Sequence, residues 1–220
     1  MSNSGVICIL SAIKTEARPF IRALEHLKVS NCGQLIIYEG YLVGKRIALT
    51  HSGAGLKKAS AAAQALLESY DTSCFVMSGT AGGMDKRLEI GDTAIAVDMV
   101  YHDMPSETVY KSDSGLLDLC RKAIERDPPG HTVHFGRIAS GNSFIKTKNR
   151  ETIIERFNPL CVDMETTAVA DVCLSAGIPF IAVRSVTDTE KKSGFLVFFK
   201  NARRASRHSF IVVKKLLAQL

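Results

Sequence analysis

With 220 residues, 46% of them apolar, the chain can bury one sizeable core but is short for two independent catalytic domains. No run of about 18 apolar residues offers a membrane-spanning helix, and Met1–Ala12 lacks the basic start of a secretory signal, so a soluble single domain over residues 1–220 is expected. The formal charge of +6 is unevenly placed: residues 191–220 hold eight Lys/Arg and no acid, whereas residues 1–190 hold 20 basic and 22 acidic groups, a net of −2.

Gly5–Leu10 is an apolar run of strand type, followed by a helical stretch from about Thr15 to Leu27. Gln34–Tyr38, Tyr41–Val43 and Arg46–Thr50 read as short strands of a meander, the first two flanking Glu39-Gly40. Ser52-Gly53-Ala54-Gly55 then opens a helix over Lys57–Tyr70. Cys74–Met77 is a buried strand expected to end in a Gly-rich turn, Ser78–Gly83, and Thr93–Tyr101 is a longer strand. A polar loop leads to a helix over Ser114–Arg126, stopped by Pro128-Pro129-Gly130. Thr132–Ser140 is a strand, Gly141–Lys148 a loop and Arg150–Phe157 a short helix.

Cys161–Ala170 is the most informative stretch: a short apolar strand runs into two carboxylates, Asp163 and Glu165, and then into a small-residue helix. If the strand persists, the two acids point the same way and Met164 the other. The simple account is a pair of acids favoured at a helix N-terminus; the alternative is a ligand site at the carboxyl edge of a sheet. Ile178–Ser185 is a last buried strand, broken by Thr187-Asp188-Thr189-Glu190, and a basic helix closes the chain. On that helix Lys200, Arg203, Arg204, Arg207, Lys214 and Lys215 share one face, while Phe198, Ala202, Ala205, Ser209, Val213 and Leu216 share the other. A solvated outer face explains this pattern; attraction to nucleic acid or an acidic membrane is the sharper alternative.

Apolar strands alternating with helices predict an α/β domain of three α/β/α layers around a mixed, twisted central sheet. The six cysteines form no C-x-x-C pair, which fits reduced thiols in the cytoplasm. His131 and His134 fall at a spacing that faces opposite sides of a strand, so no metal site is assigned. Neither Gly-rich turn matches a dinucleotide or P-loop fingerprint, and no G-x-S-x-G elbow occurs. Three sets of acids follow strand ends: Glu16, Asp163 with Glu165, and Asp188.

Taken in order, Ser78–Gly83, Tyr101-His102-Asp103, Ser140–Ile145, Val162–Glu165 and Arg184–Asp188 resemble the purine nucleoside phosphorylase/nucleosidase superfamily. Within it the chain most resembles the 5′-methylthioadenosine/S-adenosylhomocysteine nucleosidases. The resemblance implies hydrolysis of the N-ribosidic bond of a 5′-substituted adenosine with release of adenine. Glu16 matches the carboxylate that activates water, Glu165 the acid that holds a ribose hydroxyl, and Asp188 the acid that protonates the purine. It further implies that Phe144 stacks on the base, that Ile145 reads its edge through the backbone, and that Met164 lies under the sugar. Contacts from Asp163, Thr80, Ala81, Gly82, Ala54, Ile13, Thr187 and Phe198 complete the implied substrate site. The resemblance calls for no cofactor and implies a homodimer, with no nucleic-acid partner.

Three departures mark this chain. Asp163 stands where the family's nucleosidases usually have Glu, and Thr187 where Ser is common. The segment Met104–Ser114 is shorter and more polar than the aromatic loop that walls the 5′-substituent in the resembling nucleosidases. No Arg occupies the turn Met77–Thr80, where related phosphorylases place one for phosphate, so water is the expected nucleophile. Lys57, Lys58 and Arg184 keep a phosphate-dependent phosphorylase as the runner-up, and a non-catalytic nucleoside-binding or membrane-associated module as a third reading.

Overall fold

A computed structural model of the protein describes residues 5–145 and 150–220. Its centre is three parallel neighbours: Val6–Ser11 (β1), Thr72–Gly83 (β5) and Phe180–Asp188 (β10). Every residue of β1 and β10 is buried. Strands covered on both faces need apolar side chains on both, which is why V-I-C-I-L and F-I-A-V read as unbroken runs without alternation.

The pairings around β5 close a circuit. β10 pairs antiparallel with Thr93–Tyr101 (β6), which runs parallel to Val133–Ser140 (β8). β8 runs parallel to Cys161–Asp163 (β9), and β9 returns antiparallel to the far end of β5. Beyond β1 the sheet continues through Lys45–His51 (β4) into an antiparallel meander with Leu35–Leu42 (β3) and Glu25–Cys32 (β2), while the two residues Tyr110–Lys111 (β7) pair with β6.

Helices cover both faces. Leu56–Ser69 (α2) and Thr166–Ser175 (α5) pack together and bury Ala59, Ala62, Ala63, Val169, Ala170 and Cys173 on one side of the sheet. Lys14–Ala23 (α1), Ser114–Arg126 (α3) and Phe195–Leu217 (α6) bury Ala17, Phe20, Leu116, Cys120, Val212 and Leu216 on the other. Arg150–Phe157 (α4) sets Ile153 against Met84, Val100 and Val162 at one end. This is the layered α/β architecture with a mixed central sheet that the sequence predicts.

Four elements differ from expectation. α1 ends at Ala23, and Glu25–Cys32, expected to begin as helix, is an exposed edge strand entered through His26 at φ +53. β3 runs straight through Glu39-Gly40. Gly40 serves close approach rather than a turn, since a Cβ there would lie 2.6 Å from the carbonyl oxygen of Glu25 on β2. The reversal falls instead at Val43-Gly44, both at positive φ. β5 continues through Ser78–Gly83 because β10 and β9 keep pairing with it, Ser185 opposite Thr80 and Val162 opposite Gly82. β10 likewise persists past Ser185 to Asp188. The loop expected over Gly141–Lys148 is described only as far as Ile145; the rest lies outside the described residues.

Candidate active site

The parallel strands β1, β5 and β10 end at the same edge of the sheet, where open α/β folds place their ligands. Glu16, one turn into α1, turns back toward the end of β1. Its Oε2 accepts from the backbone N–H groups of Ala12 (2.8 Å) and Ile13 (3.1 Å). Its Oε1 accepts from Thr80 N (2.8 Å) and Thr80 Oγ1 (2.6 Å) on β5. Four donors therefore fix a carboxylate that is only 2% exposed.

Arg184 lies beside it on β10, 1% exposed and in register with Gly79. A guanidinium so deep must be paired. Its Nη2 donates to Glu165 Oε2 at 2.9 Å, and its Nε lies 2.9 Å from Asp163 Oδ2 without hydrogen-bond alignment. Nη1 has no partner and faces Gly79. A Cβ at Gly79 would stand 2.6 Å from that Nη1 and 2.8 Å from the Cδ and Oε2 of Glu16, so only glycine lets both charged groups close on β5. Burial works against the charge of Arg184, but Asp163, Glu16 and Glu165 around it hold it firmly protonated.

The two acids of the D-M-E stretch divide their labour. Asp163 Oδ1 accepts from Ser140 Oγ (2.6 Å) and from the N–H groups of Glu165 and Thr166, and Oδ2 accepts from Thr166 Oγ1. Asp163 thus tethers the start of α5 and supports Arg184, the structural role favoured by a helix N-terminus. Glu165 instead reaches across the site, its Oε1 accepting from Gly55 N at 2.9 Å. Burial pushes its carboxyl up to about 7, against the pull of Arg184 and with added repulsion from Asp163 and Glu16.

Asp188, 2% exposed, ends β10. Burial raises its pKa, opposed by a hydrogen bond from Thr187 Oγ1 at 2.9 Å and by the charge of Arg150. It lines a small cavity with Gly82, Phe144, Ile145, Val162, Asp163, Met164 and Arg150. Two larger surface clefts hold none of Glu16, Glu165, Arg184 or Asp188. Sequence reasoning thus placed Glu16, Thr80, Gly82, Phe144, Ile145, Met164, Glu165 and Asp188 around one locality. Ile13 contributes its N–H to Glu16, and Ala54 sits in the turn beside the Gly55 N–H that holds Glu165. The Ala81 carbonyl lies 3.2 Å from the Thr187 hydroxyl and shares its single proton with Asp188. Phe198 is different: its ring packs edge-on to Phe199 in the first turn of α6, and it does not line the Asp188 cavity.

Arg150 is a site residue that sequence reasoning missed. It is 2% exposed, donates Nη2 to the carbonyl of Gly83, and keeps an unpartnered Nε. At the start of a short polar helix nothing in the sequence distinguishes it from a surface cation. Arg184 was legible as a charge inside F-I-A-V-R-S-V, a strand with no room for solvent.

A model of the phosphorylase superfamily matches residues 6–218. The chain belongs to that superfamily. Within it, the chain is 30% identical over 229 residues to a protein of Haemophilus influenzae (strain PittGG) named 5′-methylthioadenosine/S-adenosylhomocysteine nucleosidase, covering 97% of this chain and 99% of that one. A Staphylococcus haemolyticus protein of the same name is 29% identical, covering 98% and 100%. The crystal structure of the Neisseria meningitidis 5′-methylthioadenosine/S-adenosylhomocysteine nucleosidase in complex with methylthio-immucillin-A is 26% identical. It superimposes with a TM-score of 0.91 over 98% of this chain and 99% of its own.

Proposed function

We propose that this superfamily member is a nucleosidase that hydrolyses the N-ribosidic bond of a 5′-substituted adenosine, of the methylthioadenosine or S-adenosylhomocysteine type, and releases adenine. The observation that carries the reading is the pairing of one sheltered acid, Asp188, at a small cavity with two buried carboxylates, Glu165 held by Arg184 and Glu16 held by Thr80 and the backbone of Ala12 and Ile13. Names of relatives 29–30% identical over nearly the whole chain support the same chemistry.

A purine leaves a sugar only when the electron pair of the breaking C–N bond is neutralised. Asp188, its pKa raised by burial, donates a proton to a ring nitrogen of the departing base. The ribosyl group left behind is oxocarbenium-like and positive, and the ionised Glu165 stabilises it while holding a ribose hydroxyl. Water then attacks the anomeric carbon, forming the new C–O bond, and its proton passes to Glu16. Both oxygens of Glu16 are already occupied by donors, so the Thr80 hydroxyl, a free rotor, turns away to expose Oε1 to water. Phe144 and Met164 supply apolar surface for base and sugar. The chemistry uses carboxylates and water and calls for no cofactor. Among the described residues no cluster of three or more His, Cys, Asp or Glu side chains could hold a metal ion.

Phosphorolysis is the competing outcome, and it needs cations free to hold phosphate. Arg184 is committed to Glu165 and flanked by Asp163 and Glu16. Lys58, which folds over Gly53 with its Cδ 3.2 Å from where a Cβ would be, its exposed neighbour Lys57, and Arg150 with its unpartnered Nε are the cations left to consider. The deciding assay is adenine release from methylthioadenosine, S-adenosylhomocysteine and adenosine, each with and without phosphate, for the wild type and Asp188→Asn. Phosphate-independent release that the Asn variant loses is expected; strict phosphate dependence or an active Asn variant refutes the assignment. We also propose a homodimer, supported by the resemblance to the dimeric nucleosidases and tested by light scattering. A cytoplasmic setting is supported by six free cysteines, five of them buried.

A further inference from the structure

Arg150 opens α4 with its side chain turned inward, 2% exposed. A guanidinium stays charged and carries several N–H groups, so burying one without acceptors is costly. Its Nη2 donates to the carbonyl of Gly83, its Nε has no partner, and among the described residues no carboxylate forms an ion pair with it. Burial works against its charge, and the fields of Asp188 and Glu190 offset only part of that. The same side chain lines the small cavity of Asp188, Phe144, Ile145 and Met164. Gly82 gives the Asp188 carboxyl its room there, since a Cβ on it would lie 3.5 and 3.6 Å from the two oxygens. Oδ1 of Asp188 faces the Thr187 hydroxyl at 2.9 Å, and no described group donates to Oδ2. An acid and a cation thus converge on one cavity without being paired to each other.

The edge of the base decides what can use both groups. Beside N7, the ring nitrogen that takes the proton, adenine carries an amino group, a donor, whereas a 6-oxopurine carries O6, an acceptor. A protonated carboxyl satisfies the adenine edge alone, its O–H donating to N7 and its other oxygen accepting from the amino group. On a 6-oxopurine the carboxyl reaches only N7, and O6 needs a second donor. We propose that Arg150 is that donor, and that the enzyme therefore also hydrolyses 5′-substituted inosines, releasing hypoxanthine. The inference rests on the nucleosidase reading and extends it to a second leaving base. The C1′–N9 bond breaks with its electron pair passing to the base. The Asp188 proton goes to N7, water forms the new bond to C1′, and its proton passes to Glu16. On the 6-oxopurine the electron pair spreads onto O6, where a guanidinium in a water-poor cavity stabilises the charge as it develops. Adenine has no oxygen there, so Arg150 adds little to its departure. A phosphate role fits this cation poorly, because an attacking oxygen arrives on the Glu16 side of the sugar, opposite the departing base, and Arg150 stands with Asp188. At about 40 Å³ the cavity is smaller than a purine, and Phe144, 44% exposed, is its wall toward solvent, so a base enters by displacing that ring.

The test compares 5′-methylthioinosine with methylthioadenosine, following hypoxanthine and adenine by chromatography, for the wild type, Arg150→Met and Arg150→Lys. Each enzyme is assayed at its own pH optimum, so that a change in the acidity of Asp188 does not enter. Wild-type release of hypoxanthine without phosphate is expected. Arg150→Met should lower kcat/KM for the inosine about 10²–10³-fold, the usual cost of removing one donor from a developing oxyanion, and for the adenosine by less than about 10-fold. Arg150→Lys keeps the charge and should recover part of the loss on the inosine alone. An arginine that only holds the Gly83 carbonyl would move both substrates alike. Adenine release with no hypoxanthine release, or equal losses on the two substrates, overturns the inference and leaves the nucleosidase reading in place. No release of either base overturns that reading and this inference with it. If circular dichroism shows Arg150→Met unfolded, wild-type affinities measured by calorimetry decide: hypoxanthine should bind more tightly than unsubstituted purine, which lacks O6, and equal affinities overturn the inference.

Discussion

Gly79→Ala is the sharpest probe of the reaction centre because its effect can be worked out from distances. Gly79 has no positive φ, so alanine is acceptable to the backbone, and the damage comes from the methyl group alone. That methyl would lie 2.6 Å from Arg184 Nη1 and 2.8 Å from Glu16 Cδ and Oε2, where ordinary contact begins at 3.4 Å. The guanidinium or the carboxylate must retreat by about 0.6–0.8 Å. A misplacement near 1 Å costs roughly 10²-fold in a positioned reaction, so kcat/KM should fall about 10–100-fold. Overpacking a core position costs about 1–3 kcal/mol, and at about 2–4 °C per kcal/mol the chain should melt roughly 2–12 °C lower while still folding. The assay is adenine release from methylthioadenosine well below the melting range, with circular dichroism to verify the fold. Adenine affinity, read by titration, should be kept, because the small cavity that Asp188 lines does not include Gly79. A folded Gly79→Ala enzyme with wild-type kcat/KM would refute the placement of the chemistry between Glu16 and Arg184.

Removing the buried cation should be worse for stability than for any surface pair: Arg184→Met leaves Glu16, Asp163 and Glu165 facing one another and should cost about 3–5 kcal/mol in urea unfolding, partly recovered in Arg184→Met/Glu165→Gln; an unchanged midpoint would contradict the pairing. Glu165 must be ionised to stabilise the ribosyl cation, and burial pushes its carboxyl up to about 7, so kcat/KM should rise with pH through that value and Glu165→Gln should flatten this limb. The same shift has the opposite sign for stability. The folded state holds the proton above the ordinary value of 4.5, so this group's contribution is full below that pH and is lost as pH rises through about 7. Arg150 opposes the upward shift that burial imposes on Asp188. Arg150→Met should therefore move the basic limb of the kcat/KM profile to higher pH, with Arg150→Lys restoring it; a basic limb that stays in place would show that Arg150 acts only through Gly83.

What the sequence reveals and what it hides divide along a physical line. The buried parallel strands are legible because burial on both faces demands unbroken apolar runs, and the helices because their apolar positions repeat at the helical period. β2 is hidden because an exposed edge strand has no core to satisfy, so Glu25–Cys32 carries no alternation to read. The glycines of Ser78–Gly83 and Gly40 mislead for a common reason. Glycine signals either a turn or a close approach, and only the neighbours decide: the Glu25 carbonyl at Gly40, Glu16 and Arg184 at Gly79. The acids stand out because they follow strand ends, but that placement alone favours the simple helix-N-terminus account, and their roles are what the family resemblance implies. Their division of labour was hidden, since it lies in which neighbours bind them: Ser140 and Thr166 tie Asp163 down, Gly55 holds Glu165, and Arg184 lies against both. The same logic sets the limit on substrate. In the proposed function the residues around Asp188, at the end of β10, and Glu165, at the start of α5, read the parts common to all such nucleosides. In the proposed function the 5′ end meets the polar Met104–Ser114 segment, of which only Tyr110–Lys111 pairs into the sheet. Specificity at that end is therefore free to vary while the reaction centre stays constant.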